Sequence, residues 1–216
     1  MLGQDQIQQK YFFRAKLAAN VLRLAPFVRM VALTGSLARG EASKNSDIDF
    51  FIVARQGRIW TARFFTTFFT HLLSIRRYNN KIAGRICLNC YQTEDSLEIH
   101  PKNKKNALDY AHLTPLWQIH GNYPGFLKAN TWIKKYRQFH PLENQERDIL
   151  KFLKIFQLIF ETILELFLNN WLEEKLRRLQ IKKILANPLT RRARKNEIFI
   201  SDKELRFHPR KKNIDK

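Results

Sequence analysis

Two aspartates separated by a single residue offer the clearest chemistry in this chain. Asp47 and Asp49 lead directly into the apolar run Phe50–Val53. Residues i and i+2 of a β-strand point to the same face, so the two carboxylates would lie side by side. Two negative groups this close repel each other and need a compensating cation. We predict that Asp47 and Asp49 bind magnesium, which takes carboxylate oxygens and leaves positions open for substrate phosphates.

A Gly-Ser pair precedes these aspartates at the end of an earlier apolar run. Ten residues separate Ser36 from Asp47. Such a turn offers backbone N–H groups and a hydroxyl to a phosphate, and glycine permits close backbone approach. Gly35 and Ser36 are therefore candidate nucleotide-binding residues. Arg39 and Lys44, in the intervening loop, are candidates for contacts with phosphate oxygens, or else ordinary exposed basic residues.

The stretch from Leu33 to Val53 resembles the nucleotidyltransferase superfamily that includes DNA polymerase beta. It is most similar to the minimal nucleotidyltransferases of bacteria and archaea, through the string Gly-Ser-x-Ala-Arg-Gly-x-Ala-x-x-x-Ser-Asp-Ile-Asp over residues 35–49. The resemblance covers about residues 27–100. It implies that Asp47 and Asp49 hold one or two Mg²⁺ ions, and that the Gly35–Ser36 turn binds the β- and γ-phosphates of a nucleoside triphosphate.

One position departs from the pattern of active members, which carry a third carboxylate between apolar residues of a neighbouring strand. The corresponding strand here has Asn89 in that place. Asparagine can ligate a metal through its carbonyl oxygen but cannot act as a base. Glu98, between Leu97 and Ile99, is the alternative third catalytic carboxylate. A third alternative is a protein that binds nucleotide without efficient transfer.

The surrounding pattern predicts an α+β fold, a small mixed sheet flanked by helices and followed by a mostly helical C-terminal region. We expect a nucleotidyltransferase domain over residues 1–106, a helical domain over 107–190 and a basic tail over 191–216. The predicted elements of the first domain are helices over 4–24 and 59–75, strands over 27–33, 48–54 and 85–92, and a short strand or edge segment over 97–100. Those beyond it are helices over 107–119, 123–130 and 131–139, a long helix over about 147–185 and a short strand over 197–201. The phenylalanines of the 59–75 helix are expected in the core.

The long helix carries polar residues every three or four positions. These predict one narrow solvent-facing stripe on an otherwise apolar cylinder. Residues 149–168 have the length of a membrane span, but four of the twenty are charged, which is costly in lipid. We therefore expect no transmembrane segment, and a helix that is buried on most sides or forms a homodimer interface. The stripe consists of Asp148, Lys151, Lys154, Gln157, Glu161 and Glu165.

The chain is strongly basic, with a formal net charge of +20. Residues 175–216 hold 15 Lys and Arg against 4 Asp and Glu, so 15 − 4 gives +11 in about a fifth of the length. Such a surface attracts polyanions, which include nucleotides, RNA and anionic membranes, unless the charge belongs only to a solvated tail.

Two cysteines and the N-terminus bear on the compartment. Cys87 and Cys90 are three residues apart on one predicted strand, which would point them to opposite faces and disfavour a disulfide between them. Free thiols favour a reducing compartment. The N-terminal residues lack the basic-then-apolar order of a signal peptide, and we expect a cytoplasmic protein.

Together these features predict an Mg²⁺-dependent enzyme that moves a nucleoside monophosphate from NTP to a hydroxyl of RNA, protein or a small molecule. The first alternative is a weak or inactive module that binds nucleotide or nucleic acid, or an antitoxin-like partner of a helical protein. The second is a peripheral membrane protein that uses the long helix and the basic tail.

Overall fold

The computed structural model describes residues 3–78, 80–119, 121–142, 151–167, 169–193 and 197–207. Six strands and eight α-helices lie within these ranges, together with the 3₁₀ helix Thr131–Lys135. The strands are β1 (Val28–Thr34), β2 (Ile48–Ala54), β3 (Ile86–Thr93), β4 (Thr114–Gln118), β5 (Ile198–Ile200) and β6 (Glu204–Phe207). The α-helices are α1 (Gln4–Leu22), α2 (Gly35–Ala38), α3 (Ile59–Leu72), α4 (Lys104–Ala111), α5 (Asn122–Ala129), α6 (Lys151–Phe167), α7 (Asn169–Ala186) and α8 (Pro188–Arg192).

The six strands form one mixed sheet in the order β4-β1-β2-β3-β6-β5. Only β2 and β3 run parallel, and the other four neighbouring pairs are antiparallel. Strands β1 and β2 are apolar on both faces, as expected for central strands with both sides covered. The predicted α+β class, with a mixed sheet and a helical C-terminal region, is confirmed.

Both faces of the sheet carry a hydrophobic core. One core includes Val31, Leu33, Phe50 and Ile52 and packs against residues of α1, α3, α6 and α7. The other includes Phe51 and packs against α4, α5 and the 3₁₀ helix. Alternate residues of β2 therefore serve opposite cores, because successive side chains of a strand point to opposite faces.

The sheet takes strands from beyond the predicted boundary at residue 106. The helix expected over residues 107–119 is wrong, since α4 ends at Ala111 and the chain continues as β4, which pairs with β1. Local pattern did not show this edge pairing. Residues 97–100 form no strand and pack beneath the sheet through Leu97 and Ile99. Part of the expected basic tail becomes β5 and β6, while residues 194–196 and 208–216 lie outside the described part of the chain.

The long helix expected over 147–185 is two helices, α6 and α7, whose axes differ in direction by 95°. The predicted solvent stripe holds at Lys154, which is exposed, but is wrong at its next two positions. Gln157 and Glu161 are only 4% and 5% exposed, and they hydrogen-bond groups at the start of β1. Position 148 of the expected stripe lies outside the described residues. Helix α6 therefore packs through Gln157 and Glu161 together with Phe160 and Leu164, and turns its other apolar side chains outward. The expected burial on most sides is wrong for this helix.

Helix α3 also exposes apolar side chains that were expected in the core. Beyond Trp60, its buried residues have small or hydroxyl side chains, such as Ala62, Thr66 and Thr70. The expected core phenylalanines divide, with Phe65 and Phe69 partly buried and Phe64 and Phe68 exposed. The hydroxyl of Thr66 hydrogen-bonds that of Tyr91 in the sheet at 2.9 Å. The short side chains of these buried residues therefore lie against the sheet.

Among the described residues, no single helix is long and apolar enough to cross a membrane. The bent pair formed by α6 and α7 meets that criterion by length and composition only when its two helices are taken together.

Candidate active site

The paired aspartates lie where β1 ends and β2 begins. Thr34 pairs with Asp49 in the antiparallel β1–β2 ladder, so the Gly-Ser turn that follows β1 faces the carboxylates. Cys87 pairs with Asp49 from the other side, in the β2–β3 ladder. One ligand atom each of Asp47, Asp49 and Cys87 lie within 4.8 Å of one another. The sheet thus places two carboxylates and a thiol in one cluster.

Gly35 makes the closest backbone approach to this cluster. Its φ is +69°, in the left-handed region that favours glycine, and a Cβ added there would lie 2.4 Å from Oδ2 of Asp49. A side chain of any size would therefore displace the carboxylate. Ser36 follows on the partly buried first turn of α2, so the structure brings both residues of the predicted phosphate turn beside Asp49.

We expect Gly35→Ala to weaken divalent-metal binding about 10- to 100-fold, a loss comparable with disturbing residues that orient metal ligands. The reason is the clash with Asp49 together with the positive φ. Gly40→Ala is the matched control, because Gly40 has φ +74° but nothing within 4 Å of an added Cβ. Titration with Mn²⁺ followed by electron paramagnetic resonance measures both. Equal losses in the two variants would show that backbone strain alone, and not the clash, matters.

Helix α1 holds the loop between the Gly-Ser turn and the aspartates. Gln8 donates to the carbonyl of Leu37 at 2.6 Å and accepts from the amide of Ala42 at 3.3 Å. The Tyr11 hydroxyl donates to the carbonyl of Lys44 at 2.9 Å. These contacts fix both halves of the loop, and no local sequence signal indicated them.

A bulge in β3 sets which side chains face the aspartates. Asp49 pairs with Cys87 and Phe51 with Cys90, which leaves Asn89 as an extra residue. Both cysteines are free and stand on the side of the sheet that carries Asp49, so the prediction of opposite faces is wrong. Burial, followed by the charges of Asp49 and Asp47, raises the pKa of the Cys87 thiol. That thiol is therefore protonated at neutral pH and a poor ligand for a hard cation.

Asn89 contacts the site directly. Its Nδ2 donates to Oδ1 of Asp49 at 2.8 Å. The Oδ1 of Asn89 is buried and has no hydrogen-bond partner among the described residues. Rotating the amide by 180° would exchange its two ends and present the carbonyl oxygen to the carboxylate cluster. After that rotation the amide oxygen of Asn89 becomes a candidate metal ligand next to Asp49.

Arg77 is the site residue that the sequence analysis did not identify. Its Nη1 donates to Oδ2 of Asp47 at 2.5 Å and approaches Sγ of Cys87 at 3.7 Å. It belongs to the basic loop after α3, which is held by the bond from the Arg77 amide to the carbonyl of Ile86 at 2.9 Å. The repulsion within the carboxylate pair indicated that a cation was needed, but this cation is a protein side chain.

The other predicted residues lie in different surroundings. The Glu98 side chain is 40% exposed and pairs with His100 at 2.9 Å and Lys102 at 2.5 Å. It is not part of the carboxylate cluster. Arg39 is held by Glu41 at 2.7 Å and by Asp109 at 2.8 Å, and the Lys44 side chain is exposed. The structure therefore brings Gly35, Ser36, Asp47, Asp49 and Asn89 together and leaves Glu98 outside.

Two features of the cluster suit a divalent cation. Burial, together with repulsion from Asp47, raises the pKa of Asp49 to about 7, so this carboxylate lacks adequate compensation for its charge. The unpaired oxygen of Asn89 adds a neutral oxygen donor. Carboxylate and amide oxygens are the ligands that magnesium takes. Arg77 occupies one carboxylate oxygen of Asp47 and the Asn89 amide occupies one of Asp49, which leaves one oxygen of each aspartate outside these two bonds.

The raised pKa predicts how metal binding depends on pH. A cation must displace the proton of Asp49, so affinity should fall about tenfold for each pH unit below 7 and level off above it. Isothermal titration with Mn²⁺ across this range measures the slope. Asp47→Asn removes the repulsion and should lower the pKa of Asp49 when followed by carbon NMR. An affinity that does not change between pH 5 and pH 8 would contradict the assignment.

The site thus combines a mixed sheet, paired carboxylates and a Gly-Ser turn that faces them. Residues 14–113 match the family model described as nucleotidyltransferase domain. This match agrees with the polymerase-beta-like superfamily to which the sequence motif pointed, and that recognition is confirmed. No curated protein and no solved structure gave a significant match to the chain.

Proposed function

We propose that this protein is an Mg²⁺-dependent transferase that moves a nucleoside monophosphate from NTP to a hydroxyl acceptor and releases pyrophosphate. The observation that carries the proposal is the contact of the Gly35 turn with Asp49, which joins a phosphate-binding element to a carboxylate pair. A divalent cation held by Asp47 and Asp49 would offset the charge of the triphosphate and help to align the attacking hydroxyl.

The chain's own residues would have distinct roles in this reaction. The backbone and hydroxyl of the Gly35–Ser36 turn would bind the terminal phosphates. Asp47 and Asp49 would hold the cation, with Asn89 as an uncharged third ligand. Arg77 would neutralise Asp47 before substrate binds, since its guanidinium already contacts that carboxylate. Arg39 stays a weaker candidate for phosphate binding, because two carboxylates already hold it.

RNA is the acceptor class that we favour. The net charge of +20 attracts a polyanion without sequence readout. Protein and small-molecule hydroxyls remain the other acceptor classes to include in an assay. Binding to RNA should fall steeply as salt rises, and deletion of residues 208–216 should reduce that slope.

The experiment that tests the function is a transfer assay with each of the four labelled NTPs, Mg²⁺ and RNA or protein acceptors. The expected result is acceptor labelling by the wild-type chain. Labelling that is absent with every nucleotide and acceptor, while Asp47→Ala binds NTP as tightly as the wild type, would refute both transfer and the role of this carboxylate.

A second candidate function is a module that binds nucleotide but transfers it weakly or not at all, for instance as an antitoxin-like partner. The observation that favours it is the replacement of an acid by Asn89, whose amide donates to Asp49. Among the described residues, no third carboxylate joins Asp47 and Asp49 in the cluster, and the amide of Asn89 cannot take the proton from the attacking hydroxyl. A chain that binds nucleotide but does not transfer it would favour this second function over the first.

Asn89→Asp distinguishes the two candidates. If only the missing carboxylate limits transfer, the variant should raise the rate by about 10²-fold, the lower end of general-base contributions. Asn89→Ala removes the amide without adding a charge and is the control. A variant that binds NTP and metal but transfers no faster than the wild type would favour the non-transferring module.

A further inference from the structure

Helix α6 presents an apolar surface that the described protein does not cover. Its inward side carries Gln157 and Glu161, which bond groups near the start of β1. Phe156, Leu166 and Phe167 on the outward side are 66%, 75% and 77% exposed. An amphipathic helix of a soluble core shows the opposite arrangement. We call the following exposed residues the outer apolar face: Ile155, Phe156, Leu158, Ile159, Ile163, Leu166 and Phe167 of α6, and Phe64, Phe68 and Leu72 of α3.

The α3 part of this face joins the α6 part through ring contacts. The ring of Phe160 on α6 lies 5.2 Å from that of Phe65 on α3. Phe65 in turn contacts Phe64 at 5.2 Å, and Phe64 stacks on Phe68 at 6.3 Å. The exposed side chains of the two helices therefore border a shared aromatic seam. Contiguous apolar surface of this kind marks an interaction site.

Positive charge follows the apolar face along the chain, on helix α7. Trp171, at the start of α7, is 61% exposed, and the Nζ of Lys175 lies 4.6 Å from the centre of its ring. Lys175, Arg178 and Lys182 share one side of α7 with this tryptophan by their spacing. All three are exposed, and Arg178 also pairs with Glu174. Tryptophan beside lysine is a typical arrangement at the boundary between lipid and water.

We propose that the outer apolar face docks on an anionic membrane surface, with Trp171 and the basic side of α7 at the headgroups. Charge decides among the occupants of this face. A second copy would bring together two chains that each carry +20, and this repulsion opposes self-association. An anionic bilayer attracts the same charge and takes up the aliphatic side chains. RNA would use the charge but has no partner for the isoleucines and leucines.

The test is flotation of the full chain with vesicles. Phosphatidylcholine vesicles containing phosphatidylglycerol should bind the chain at least about tenfold more tightly than phosphatidylcholine alone, and less tightly as salt rises. The double variant Ile159→Glu/Leu166→Glu should lose this binding by about tenfold or more, because it places two charges in the apolar face.

The matched control is Tyr136→Glu/Phe199→Glu, which adds the same charge at two exposed apolar positions on other elements. It should bind vesicles within about threefold of the wild type. Circular dichroism and thermal melting establish that both double variants fold. Equal binding by the two double variants would overturn the proposal, since charge alone would then explain membrane attraction.

Two further measurements decide against the alternatives. Brominated lipids should quench the fluorescence of the bound chain, and Trp171→Phe should remove most of this quenching. Trp60 and Trp117 are buried, and Trp132 packs against the core on the other face of the sheet from α6. Light scattering after size-exclusion chromatography gives the oligomeric state. A dimer that Ile159→Glu/Leu166→Glu dissociates, with no vesicle binding, would overturn the proposal in favour of a second copy.

Discussion

Replacing Asp49 with asparagine is expected to lower nucleotidyl transfer by about 10³-fold, the scale of losing a group that stabilises charge in the transition state. The substitution preserves the shape of the side chain but removes the carboxylate nearest the Gly35 turn. It also removes one of the two negative charges that a cation would bind. The readout is kcat/KM with the NTP and acceptor that the transfer assay identifies, together with Mn²⁺ affinity.

The matched control for this substitution is Asp5→Asn. Asp5 is an exposed residue in the first turn of α1, and its variant should keep transfer within about twofold. A normal rate for Asp49→Asn, with normal stability and metal affinity, would rule out the proposed site. Loss of metal affinity without loss of transfer would instead show that the bound cation is not the one used in catalysis.

Glu98→Gln asks a separate question, namely whether a carboxylate remote from the cluster takes part. Lys102, then His100, lowers the pKa of Glu98 at the surface. In this arrangement the carboxylate has partners already, so we expect transfer within about threefold of the wild type. A loss approaching that of Asp49→Asn would show that the segment after β3 moves Glu98 into the site when substrate binds.

The sequence motif predicted the central part of the site because the residues of that part are close together in the sequence. Gly35, Asp47 and Asp49 lie within one hairpin-like pair of strands, and register alone brings them together. Arg77 and Asn89 depend on other features. Arg77 reaches Asp47 from a loop 30 residues later, and the position of Asn89 depends on a bulge that strict alternation does not predict.

The parts of the fold that the sequence did not predict also have physical reasons. Residues of β1, β2, β3 and α1 carry strong periodic patterns, and their elements were predicted to within about two residues. Strand β4 contains Pro115 and lies at the edge of the sheet, where proline is tolerated, so its pattern favoured a different element. For α6, periodicity gave the correct stripe but assigned it to solvent, since a polar stripe normally faces water.

The buried contacts of Glu161 show that this part of the polar stripe of α6 faces the protein, and removing them has the largest expected effect on stability. Glu161 accepts from Arg29 in two bonds of 2.8 and 2.9 Å, and from the amide of Phe27 at 2.6 Å. The two charged side chains are only 9% and 7% exposed. Removing one partner leaves a buried charge without compensation, so Glu161→Ala should lower the free energy of unfolding by about 3–5 kcal/mol. Urea denaturation followed by circular dichroism measures this change.

Glu165→Ala is the matched control for Glu161→Ala, because it lies one helical turn later on α6. The Arg55–Glu165 pair is 40% and 36% exposed, and exposed pairs contribute about 0.2–1 kcal/mol. The double variant Arg29→Met/Glu161→Leu should recover much of the loss, because it buries no unpaired charge. Equal effects of the two alanine variants would mean that Glu161 faces water and that α6 packs through its apolar side. The outer apolar face would then be part of the core, so this one comparison of stabilities also tests the surface proposed to meet the membrane.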